Sequence, residues 1–344
     1  MKILVTGCAG FIGYHLVKKL CHLDYIVIGL DSINDYYDVS LKYDRLGDLG
    51  IDKKFIQNNI FLQSRFFSTF KFVCADIANA KNLSKVFKNQ EIDIVINLAA
   101  QAGVRYSISN PQAYIDSNII GFYNLLECVR YNKIQHLIYA SSSSVYGINS
   151  DVPFKEDFRT DSPVSLYAAT KKSNELMAYS YSHLYGIPTT GLRFFTVYGP
   201  WGRPDMSPIL FAKAILTGKP IQVFNNGDLS RDFTYIDDII DGVIKILNAP
   251  STIPVPVHSG LMNPSYRLFN IGNNSPVKLT YFIELIEKEL GKKALKVMLP
   301  MQQGDVYETY ADISSLEKFV SYKPSTKIEA GVHKFVSWFL SYYN

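Results

Sequence analysis

The pattern that most restricts how this chain can fold lies between Met1 and Asp31. An apolar run, Ile3-Leu4-Val5, leads into a turn with glycines at positions 7, 10 and 13. Leucines at helical spacing follow, and a second apolar run at residues 25–30 ends on Asp31. Strand, glycine turn, helix, strand and terminal acid in this order predict a βαβ unit that binds a dinucleotide.

Each glycine of this turn has a separate physical role. Gly7 permits the tight turn, Gly10 lets backbone N–H groups approach a pyrophosphate, and Gly13 allows close packing of the helix. The helix N-terminus adds a partial positive charge. Asp31 would accept hydrogen bonds from both hydroxyls of an adenine ribose and would repel a 2′-phosphate, so the pattern favours NAD over NADP. Glycines at this spacing are common; the flanking strands, helix and acid make the pattern specific.

Further apolar runs alternate with helical patterns through the first half of the chain. Strands are predicted at residues 70–74, 92–100, 137–140 and 189–195, and helices from Asn118 and over 167–185. This alternation predicts an α/β fold with a doubly wound parallel (Rossmann) sheet. Residues 36–69 are too long for an ordinary connection, and we interpret them as a helix plus an insertion.

The length of 344 residues suggests two lobes. We expect a Rossmann domain that binds NAD at residues 1–192 and a smaller α/β lobe at 193–344, with segments that return to the first domain. In the second lobe the sequence predicts a turn-rich loop, then helices, then a proline-rich surface connection. The helices are predicted at residues 209–216, up to Leu247 and, as the last, at 280–290; the connection is predicted at 250–264.

Composition excludes several classes of function. The net charge is only +4, which is too small to indicate a nucleic-acid or membrane surface. The four cysteines lie far apart without a C-x-x-C pattern, so we expect neither a disulfide framework nor a metal site, and we expect a reducing cytoplasm. No run approaches the ~20 apolar residues of a membrane span.

Tyr167 and Lys171 are four residues apart, so a helix places both on one face. A free phenol has a pKa near ~10, and an ammonium about 4 Å away contributes roughly 4 kcal/mol at an effective dielectric of ~20, enough to bring that pKa to about 7. Lys171 could therefore make Tyr167 a general base, and a serine hydroxyl from Ser141–Ser144 could hold a substrate oxygen. The Y-x-x-x-K spacing alone also fits an ordinary amphipathic helix. The catalytic interpretation depends on the upstream pattern.

These motifs together resemble the extended short-chain dehydrogenase/reductase family. The matching stretches in the first half are Gly7-x-x-Gly10-x-x-Gly13, Asn97-Leu98-Ala99-Ala100, Ser142 and Tyr167-x-x-x-Lys171. Those in the second half are Arg231-Asp232-Phe233, Tyr235-Ile236-Asp237-Asp238 and Gly304-Asp305. Within that family, residues 34–38, 100–107 and 199–206 are most similar to enzymes that epimerise UDP-glucuronate at C4.

The resemblance implies a reaction that passes through a 4-keto sugar. Tyr167 takes the proton of the sugar 4-hydroxyl while hydride leaves C4 for NAD, and the hydride returns to the other face after the sugar turns. Lys171 binds the nicotinamide ribose and lowers the tyrosine pKa. Ser142 holds the 4-oxygen, with Ser144 as a close alternative.

The resemblance also implies two sets of binding residues. NAD is lined by Gly7, Gly10, Phe11, Ile12, Gly13, Asp31, Asp76, Ile77, Leu98, Ala99, Ala100 and Asn118, together with Tyr167 and Lys171. In the nucleotide-sugar-binding lobe, Arg231 pairs with the diphosphate, Asp305 binds the uridine ribose, Val223 and Phe224 flank the uracil, and Arg203, helped by Thr196, binds the uronate carboxylate. Arg105 is a weaker candidate for the carboxylate, and Arg203 could instead be a solvated loop arginine. Gln302 stands where many members have an arginine, which leaves one phosphate contact open.

Several other functions remain to be weighed. Dehydratases of the family carry an Asp-Glu pair where this chain has Ser143 and Ser144, so dehydration is disfavoured. Loss of the carboxylate is opposed by the groups expected to hold it. A 4-epimerase of UDP-glucose or of a UDP-N-acetylhexosamine is the main alternative, and a catalytically silent nucleotide-sugar-binding protein is the alternative from another class. The family implies a homodimer through the helices after Asn118 and at 167–185, and a role in supplying polysaccharide precursors.

Overall fold

The computed structural model describes residues 1–88, 90–149, 151–250, 266–302 and 306–343. The strands are β1 Lys2–Thr6, β2 Ile26–Asp31, β3 Phe61–Gln63, β4 Phe70–Cys74, β5 Ile94–Asn97, β6 His136–Ser142, β7 Thr189–Phe194, β8 Thr196–Tyr198, β9 Pro220–Val223, β10 Ser230–Tyr235, β11 Tyr266–Ile271, β12 Pro276–Lys278 and β13 Leu295–Met298.

The helices begin directly after the glycine turn and continue to the end of the described chain. They are α1 Phe11–His22, α2 Ser40–Asp48, α3 Ala80–Phe87, α4 Tyr106–Ser109, α5 Pro111–Tyr114, α6 Phe122–Tyr131, α7 Leu166–Tyr185, α8 Ser207–Leu216, α9 Ile236–Asn248, α10 Leu279–Leu290, α11 Ser314–Val320 and α12 Ile328–Tyr343. A π-helical segment, Ile115–Gly121, joins α5 to α6, and short 3₁₀ turns lie at Lys53–Phe55, Ser143–Tyr146 and Phe224–Gly227. Among the helices of these described ranges, none has the length and apolarity that crossing a bilayer requires.

The predicted doubly wound parallel sheet is confirmed. Its strand order is β11-β7-β6-β5-β1-β2-β4-β3. The pairs β1–β2, β2–β4, β1–β5 and β5–β6 are parallel, and the short β3 pairs antiparallel with β4 at the edge. The chain builds outward from β1 to β4 and then returns to add β5 and β6 on the other side. The carboxyl ends of β1 and β5 therefore flank a topological switch point, where open α/β sheets bind ligands.

Burial on both faces explains why the strands of this sheet were predictable. Ile3, Leu4 and Val5 of β1 have no exposed surface, and Leu16 and Leu20 of α1 are likewise buried. A strand covered by helices on both faces reads as a continuous apolar run rather than as an alternating one.

The described chain divides into two compact units. The first comprises Met1–Val145, Thr160–Arg193 and Leu247–Phe269, and the second comprises Tyr146–Arg159, Phe194–Ile246 and Asn270–Asn344. The second unit contains a three-stranded sheet, β12-β10-β8, and a parallel pair, β13–β9. The rings of Phe233 and Phe282 stack in its core with centroids 4.1 Å apart.

Two predicted elements differ from the structure, and a third cannot be compared with it. The helix expected to begin at Asn118 begins earlier, at Pro111, and passes through the π-helical segment. The helix at 280–290 is not the last, because α11 and α12 follow it. The proline-rich connection predicted at 250–264 lies, apart from Pro250, outside the described residues.

The insertion at 36–69 secures the glycine turn. It contains α2, a 3₁₀ turn and β3. Arg45 of α2 has no exposed surface, and its Nη1 donates to the carbonyl of Ala9 and to the hydroxyl of Tyr37, each at 2.8 Å. A buried guanidinium held in this way fixes the backbone of the glycine turn at Ala9.

Candidate active site

The glycine turn has the geometry that its sequence predicts. Gly7 adopts φ +72°, a conformation that side chains rarely occupy, and a Cβ there would lie 2.7 Å from the nitrogen of Ala99. A Cβ on Gly13 would collide with the Gly7 carbonyl. Gly10 is the N-cap of α1, so the first-turn N–H groups of Phe11, Ile12 and Gly13 have no acceptor within the helix. The turn is thus built for close backbone approach to an anion.

Asp31 ends β2 beside this turn and is buried. Its Oδ2 accepts from the nitrogen of Ala9 at 3.0 Å, and its Oδ1 accepts from the nitrogen of Ile33 at 2.8 Å. Because each carboxylate oxygen has two lone pairs, both retain capacity for a ribose hydroxyl.

A cavity of about 520 Å³ lies in the first unit. Asp76, one of the predicted cofactor residues, lines it, as do Asp35, Tyr36 and Asn59 from the loop after β2 and the insertion. Ile77, the next predicted residue, is buried and packs against Gly121 instead. The cavity is polar and large enough for part of a dinucleotide, so the insertion contributes to a site as well as to the fold.

The predicted catalytic residues lie in the first unit, at the end of β6 and on the first two turns of α7. Lys171 is buried, and its Nζ donates to the carbonyl of Ala140 in β6 at 2.9 Å. Burial lowers the pKa of Lys171 from 10.5 to about 8, so the amine is still mostly protonated at pH 7. The hydroxyl of Ser142 lies 3.2 Å from that of Ser144 and accepts from the nitrogen of Ser144, so the two alternatives form one hydroxyl pair. Tyr167 lies on the first turn of α7 and is partly buried.

The buried face of α7 is unusually polar. One turn beyond Lys171, Glu175 receives a two-pronged bond from Arg193 of β7, at 2.8 and 2.9 Å, and a third bond from the hydroxyl of Ser141 at 2.7 Å. Sequence reasoning missed this group. A charged residue inside the apolar run Leu192-Arg193-Phe194 was the available signal, since a buried arginine requires a partner.

Asn118 connects α7 to the loop after β5. Its Oδ1 accepts from the nitrogen of Gln101 at 2.8 Å, and its Nδ2 donates to the Gln101 carbonyl and to Thr170 Oγ1, both at 3.0 Å. Its carbonyl accepts from Nδ2 of Asn174 at 2.6 Å. The Asn118 side chain, predicted to line NAD, thus has partners within the protein and joins the loop after β5 to α7.

The residues Leu98, Ala99 and Ala100 follow β5 and are partly buried. The hydroxyl of Thr6 accepts from the nitrogen of Ala99 at 3.2 Å and donates to Asn97 Oδ1 at 2.6 Å. Thr6 therefore holds the small residues at the switch point in place, a role that sequence reasoning did not identify.

In the second unit, the predicted diphosphate ligand Arg231 lies on β10. Its Nη1 donates to its neighbour's carbonyl at Ser230 and to the carbonyl of Tyr307. The adjacent Asp232 has no exposed surface and accepts backbone N–H bonds from Asn273, Asn274 and Ala311. Asp232 thus anchors two chain segments, at residues 273–274 and at Ala311, beside the strand that carries Arg231.

Arg203 lies in the loop between β8 and α8 and forms a fork with Asp205. Its Nε and Nη2 contact the two carboxylate oxygens at 3.0 and 2.5 Å, and the two side chains are 20% and 28% exposed. This is the geometry with which a guanidinium binds any carboxylate. Trp201 in the same loop has φ +62° and packs its ring against Trp338 and Tyr342 of α12.

The remaining predicted ligands are distributed as follows. Val223 has no exposed surface, and its backbone carbonyl accepts from the nitrogen of Leu299. Phe224, next to it, is partly exposed, as is Thr196 at the start of β8. Arg105 is exposed and lies at the N-cap of α4. Asp305 lies outside the described residues, and Oε1 of Gln302 is buried without a hydrogen-bond partner among them.

The glycine turn, the acid at the end of β2 and the Tyr-Lys pair beside a serine strand define a doubly wound, dinucleotide-dependent protein. The model of the NAD dependent epimerase/dehydratase family matches residues 3–272. The chain belongs to this family.

The chain aligns with relatives over nearly its whole length. The chain is 54% identical over 349 aligned residues to Protein CapI of Staphylococcus aureus, covering 100% of this chain and 99% of that protein. It is 44% identical to a probable UDP-glucuronate 4-epimerase of Rhizobium meliloti, over 98% of this chain and 97% of that protein. Among solved structures, UDP-glucuronic acid 4-epimerase from Bacillus cereus in complex with UDP-glucuronic acid and NAD superposes with a TM-score of 0.85 at 35% identity, covering 99% of each chain.

Proposed function

We propose that this chain catalyses NAD-dependent 4-epimerisation of a UDP-sugar, interconverting UDP-glucuronate and UDP-galacturonate. The observation that carries the proposal is the arrangement at the end of β6, where the buried Lys171 amine and the Ser142 hydroxyl lie at the strand that faces the first turns of α7. The names of the relatives at 44% and 35% identity support the substrate.

The residues present fit NAD. The first turn of α1 would receive the pyrophosphate, Asp31 the adenine ribose, and the cavity lined by Asp76 the adenine side of the cofactor. When bound, NAD would supply the hydride acceptor and donor for C4 of the sugar.

The protein's own contribution is to move one proton and hold one oxygen. Tyr167 accepts the proton of the 4-hydroxyl as the C4 carbonyl forms, and returns it after the sugar has turned. The Lys171 ammonium stabilises the tyrosinate, and at pH 7 it retains its charge because its pKa of about 8 lies above that pH. The hydroxyl of Ser142, with Ser144 beside it, donates to the 4-oxygen.

The second unit supplies the groups that would hold the rest of the substrate. We assign the diphosphate to Arg231, the uracil to Phe224 and the uridine ribose to Asp305. We assign the uronate carboxylate to Arg203 and Thr196, because the Arg203 fork already binds a carboxylate, that of Asp205.

The same fork supports a second candidate function. If Arg203 keeps Asp205 as its partner, the site offers no cation to a uronate, and a neutral UDP-glucose or UDP-N-acetylhexosamine would be the substrate. A silent nucleotide-sugar-binding protein is disfavoured by the intact pair of Tyr167 and Lys171, since binding alone does not require a general base.

The test is incubation of the purified protein with UDP-glucuronate, UDP-glucose and UDP-N-acetylglucosamine, with the products identified by NMR. We expect UDP-galacturonate from the first substrate and a loss of at least about a thousandfold in kcat for Tyr167→Phe, because the base is removed. Tyr181→Phe is the matched control, since it deletes a phenol on the same helix, where the hydroxyl donates to Glu127. Equal turnover of all three sugars would favour the second candidate, and an inactive wild type that binds NAD would favour the silent protein.

We further propose a homodimer in the cytoplasm. Apolar side chains at helical spacing are exposed on two helices: Ile120 and Tyr123 where the π-helical segment continues into α6, and Leu176 and Leu184 on α7. Such stripes on neighbouring helices suit a second copy of the chain. The cysteines are all free thiols, which suits a reducing compartment. A monomer in sedimentation analysis at micromolar concentration would contradict the dimer.

A further inference from the structure

Tyr114, the last residue of α5, is a buried phenol that the reaction as proposed does not use. It has no exposed surface. Its hydroxyl is within hydrogen-bond distance of two backbone carbonyls, that of Ala102 at 3.0 Å and that of Gly103. A buried hydroxyl held between two carbonyls fixes the orientation of its ring.

The ring of Tyr114 is packed against the ring of Tyr167. The centroids are 6.0 Å apart and the planes meet at 74°, an edge-to-face contact at a preferred separation. Because the phenol of Tyr167 pivots about its Cα–Cβ bond, a small tilt of the ring displaces the oxygen more than any other atom. A neighbour that blocks the tilt therefore controls where that oxygen lies.

The helical segment that carries Tyr114 is itself held at two levels. Asn118, one turn further on, bonds to Gln101 on one side and to Thr170 of α7 on the other. Tyr114 makes a similar connection: its hydroxyl bonds to the carbonyls of Ala102 and Gly103 in the same loop, and its ring packs against Tyr167 of α7. The segment between Pro111 and Gly121 thus connects the loop after β5 to the first turns of α7.

The aromatic packing continues to the cavity. Tyr106 lies 6.2 Å from Tyr114 and 4.6 Å from Tyr36, measured between ring centroids. Tyr36 and Tyr106 both line the cavity of about 520 Å³. Tyr114 therefore stands between the cavity wall and Tyr167.

We propose that Tyr114 is a positioning residue that holds the oxygen of Tyr167 where it can exchange a proton with the sugar. The inference rests on the proposed function of Tyr167 as the base. Tyr114 acts through two separable contacts: its ring restrains the ring of Tyr167, and its hydroxyl restrains the loop at Ala102 and Gly103. An error of about 1 Å in such a position can cost roughly a hundredfold in rate.

The test separates the two contacts with two variants. Tyr114→Leu removes both, and we expect kcat for UDP-glucuronate to fall about thirtyfold with KM changed less than about threefold. Tyr114→Phe keeps the ring, and we expect a fall of only about threefold. In Tyr114→Leu the acid limb of the kcat–pH profile should move to higher pH, because a displaced phenol is less well stabilised as the anion by Lys171. A loss of folded protein alone would scale kcat equally at every pH.

A readout that does not depend on turnover is amide hydrogen exchange. We expect Tyr114→Phe to speed exchange in residues 102–107 only, and Tyr114→Leu to speed it there and in residues 166–171. Tyr139→Phe is the matched control, because Tyr139 is also fully buried in the first unit and its hydroxyl bonds to Tyr266, at 2.8 Å, rather than to the loop at 102–103. It should leave both segments and the pH limb unchanged.

The possible failures are distinguishable. A Tyr167→Phe enzyme that still turns over would overturn the proposed function. If Tyr167→Phe is silent but Tyr114→Leu matches Tyr139→Phe in kcat and in pH limb, the role of Tyr114 is overturned. Should Tyr114→Leu fail to fold, Tyr114→Met replaces it as the variant without the ring: unchanged exchange in residues 166–171 in that variant, or in residues 102–107 in Tyr114→Phe, would overturn the corresponding contact and with it the proposal.

Discussion

The protein contains two ion pairs of the same kind, an arginine with a carboxylate, in different surroundings. Arg193 and Glu175 join β7 to α7 in the first unit with side chains only 2% and 3% exposed. Arg203 and Asp205 form an equivalent fork in a loop of the second unit, at 20% and 28% exposure. Both pairs are bidentate, so their hydrogen-bond geometry does not distinguish them. They differ in how much water reaches the side chains.

Burial makes the first pair permanent. Burial alone would raise the pKa of Glu175, but the hydrogen bonds from Arg193 and Ser141 outweigh it, so the pKa lies below its usual value. If either partner left, it would leave an uncompensated charge in a medium that cannot solvate it. The partly exposed pair of Arg203 and Asp205 has no such constraint, because water or another carboxylate can replace Asp205. One fork therefore serves the fold, and the other is suited to exchange partners.

The largest expected effect comes from breaking the buried pair. Glu175→Gln removes the charge that Arg193 and Ser141 hold, and we expect a loss of about 3–5 kcal/mol in the free energy of unfolding. Asp205→Asn is the matched control in the exposed fork and should cost less than about 1 kcal/mol. Urea denaturation at pH 7 measures both. Equal losses would contradict the distinction between the two forks.

The next effect concerns the exchangeable fork. Arg203→Ala should lower kcat/KM for UDP-glucuronate about a hundredfold, roughly 2.7 kcal/mol, and change the unfolding free energy by less than about 1 kcal/mol. Arg65→Ala removes an arginine from the exposed pair with Asp52 and should do neither. Steady-state kinetics with UDP-glucuronate and UDP-glucose checks the result. A similar loss with both sugars would mean that Arg203 does not recognise the carboxylate.

The smallest effect involves a buried cation whose bond is to a carbonyl, that of Ala140 at 2.9 Å. The pKa of Lys171 falls from 10.5 to about 8 by burial, so between these values the unfolded chain binds more protons and wild-type stability rises with pH. The shift corresponds to roughly 3 kcal/mol, less about 1 kcal/mol for the lost hydrogen bond. Lys171→Met should therefore be more stable by about 2 kcal/mol at pH 7, with the difference shrinking towards pH 10.

Urea denaturation of the NAD-free protein between pH 7 and 10 tests this prediction. A pH-independent difference, or a wild type more stable than Lys171→Met at pH 7, would show that Lys171 is not buried as a cation. Turnover should be lost in the variant in either case, so stability and activity separate at this residue.

Much of the first unit could be predicted because its strands are covered on both faces. The runs that became β1 and β2 are mostly apolar, β4 is interrupted only by Lys71 and β7 carries the buried Arg193, and the glycine turn is a local pattern. The spacing of Tyr167 and Lys171 indicated a shared helical face. What no local pattern could indicate was the Lys171 bond to Ala140, because it depends on how α7 packs on β6.

The second unit was less predictable for a related reason. β8, β9, β12 and β13 are three or four residues long and exist only because distant partners pair with them. The helix α12 was missed although Val332, Phe335, Val336 and Phe339 recur at helical spacing, so there the signal was present. The pairing of Arg203 with Asp205 is a side-chain choice that the order of residues does not determine.

The edge strand β11 neighbours β7 in the large sheet, yet the whole of β8, β9 and β10 is synthesised between them. On the ribosome, then, the flank of β7 emerges long before the strand that covers it. Until β11 is synthesised, the nascent protein exposes a row of unpaired amide and carbonyl groups on a strand that is buried in the folded protein. Association with another nascent chain is most to be expected in this interval.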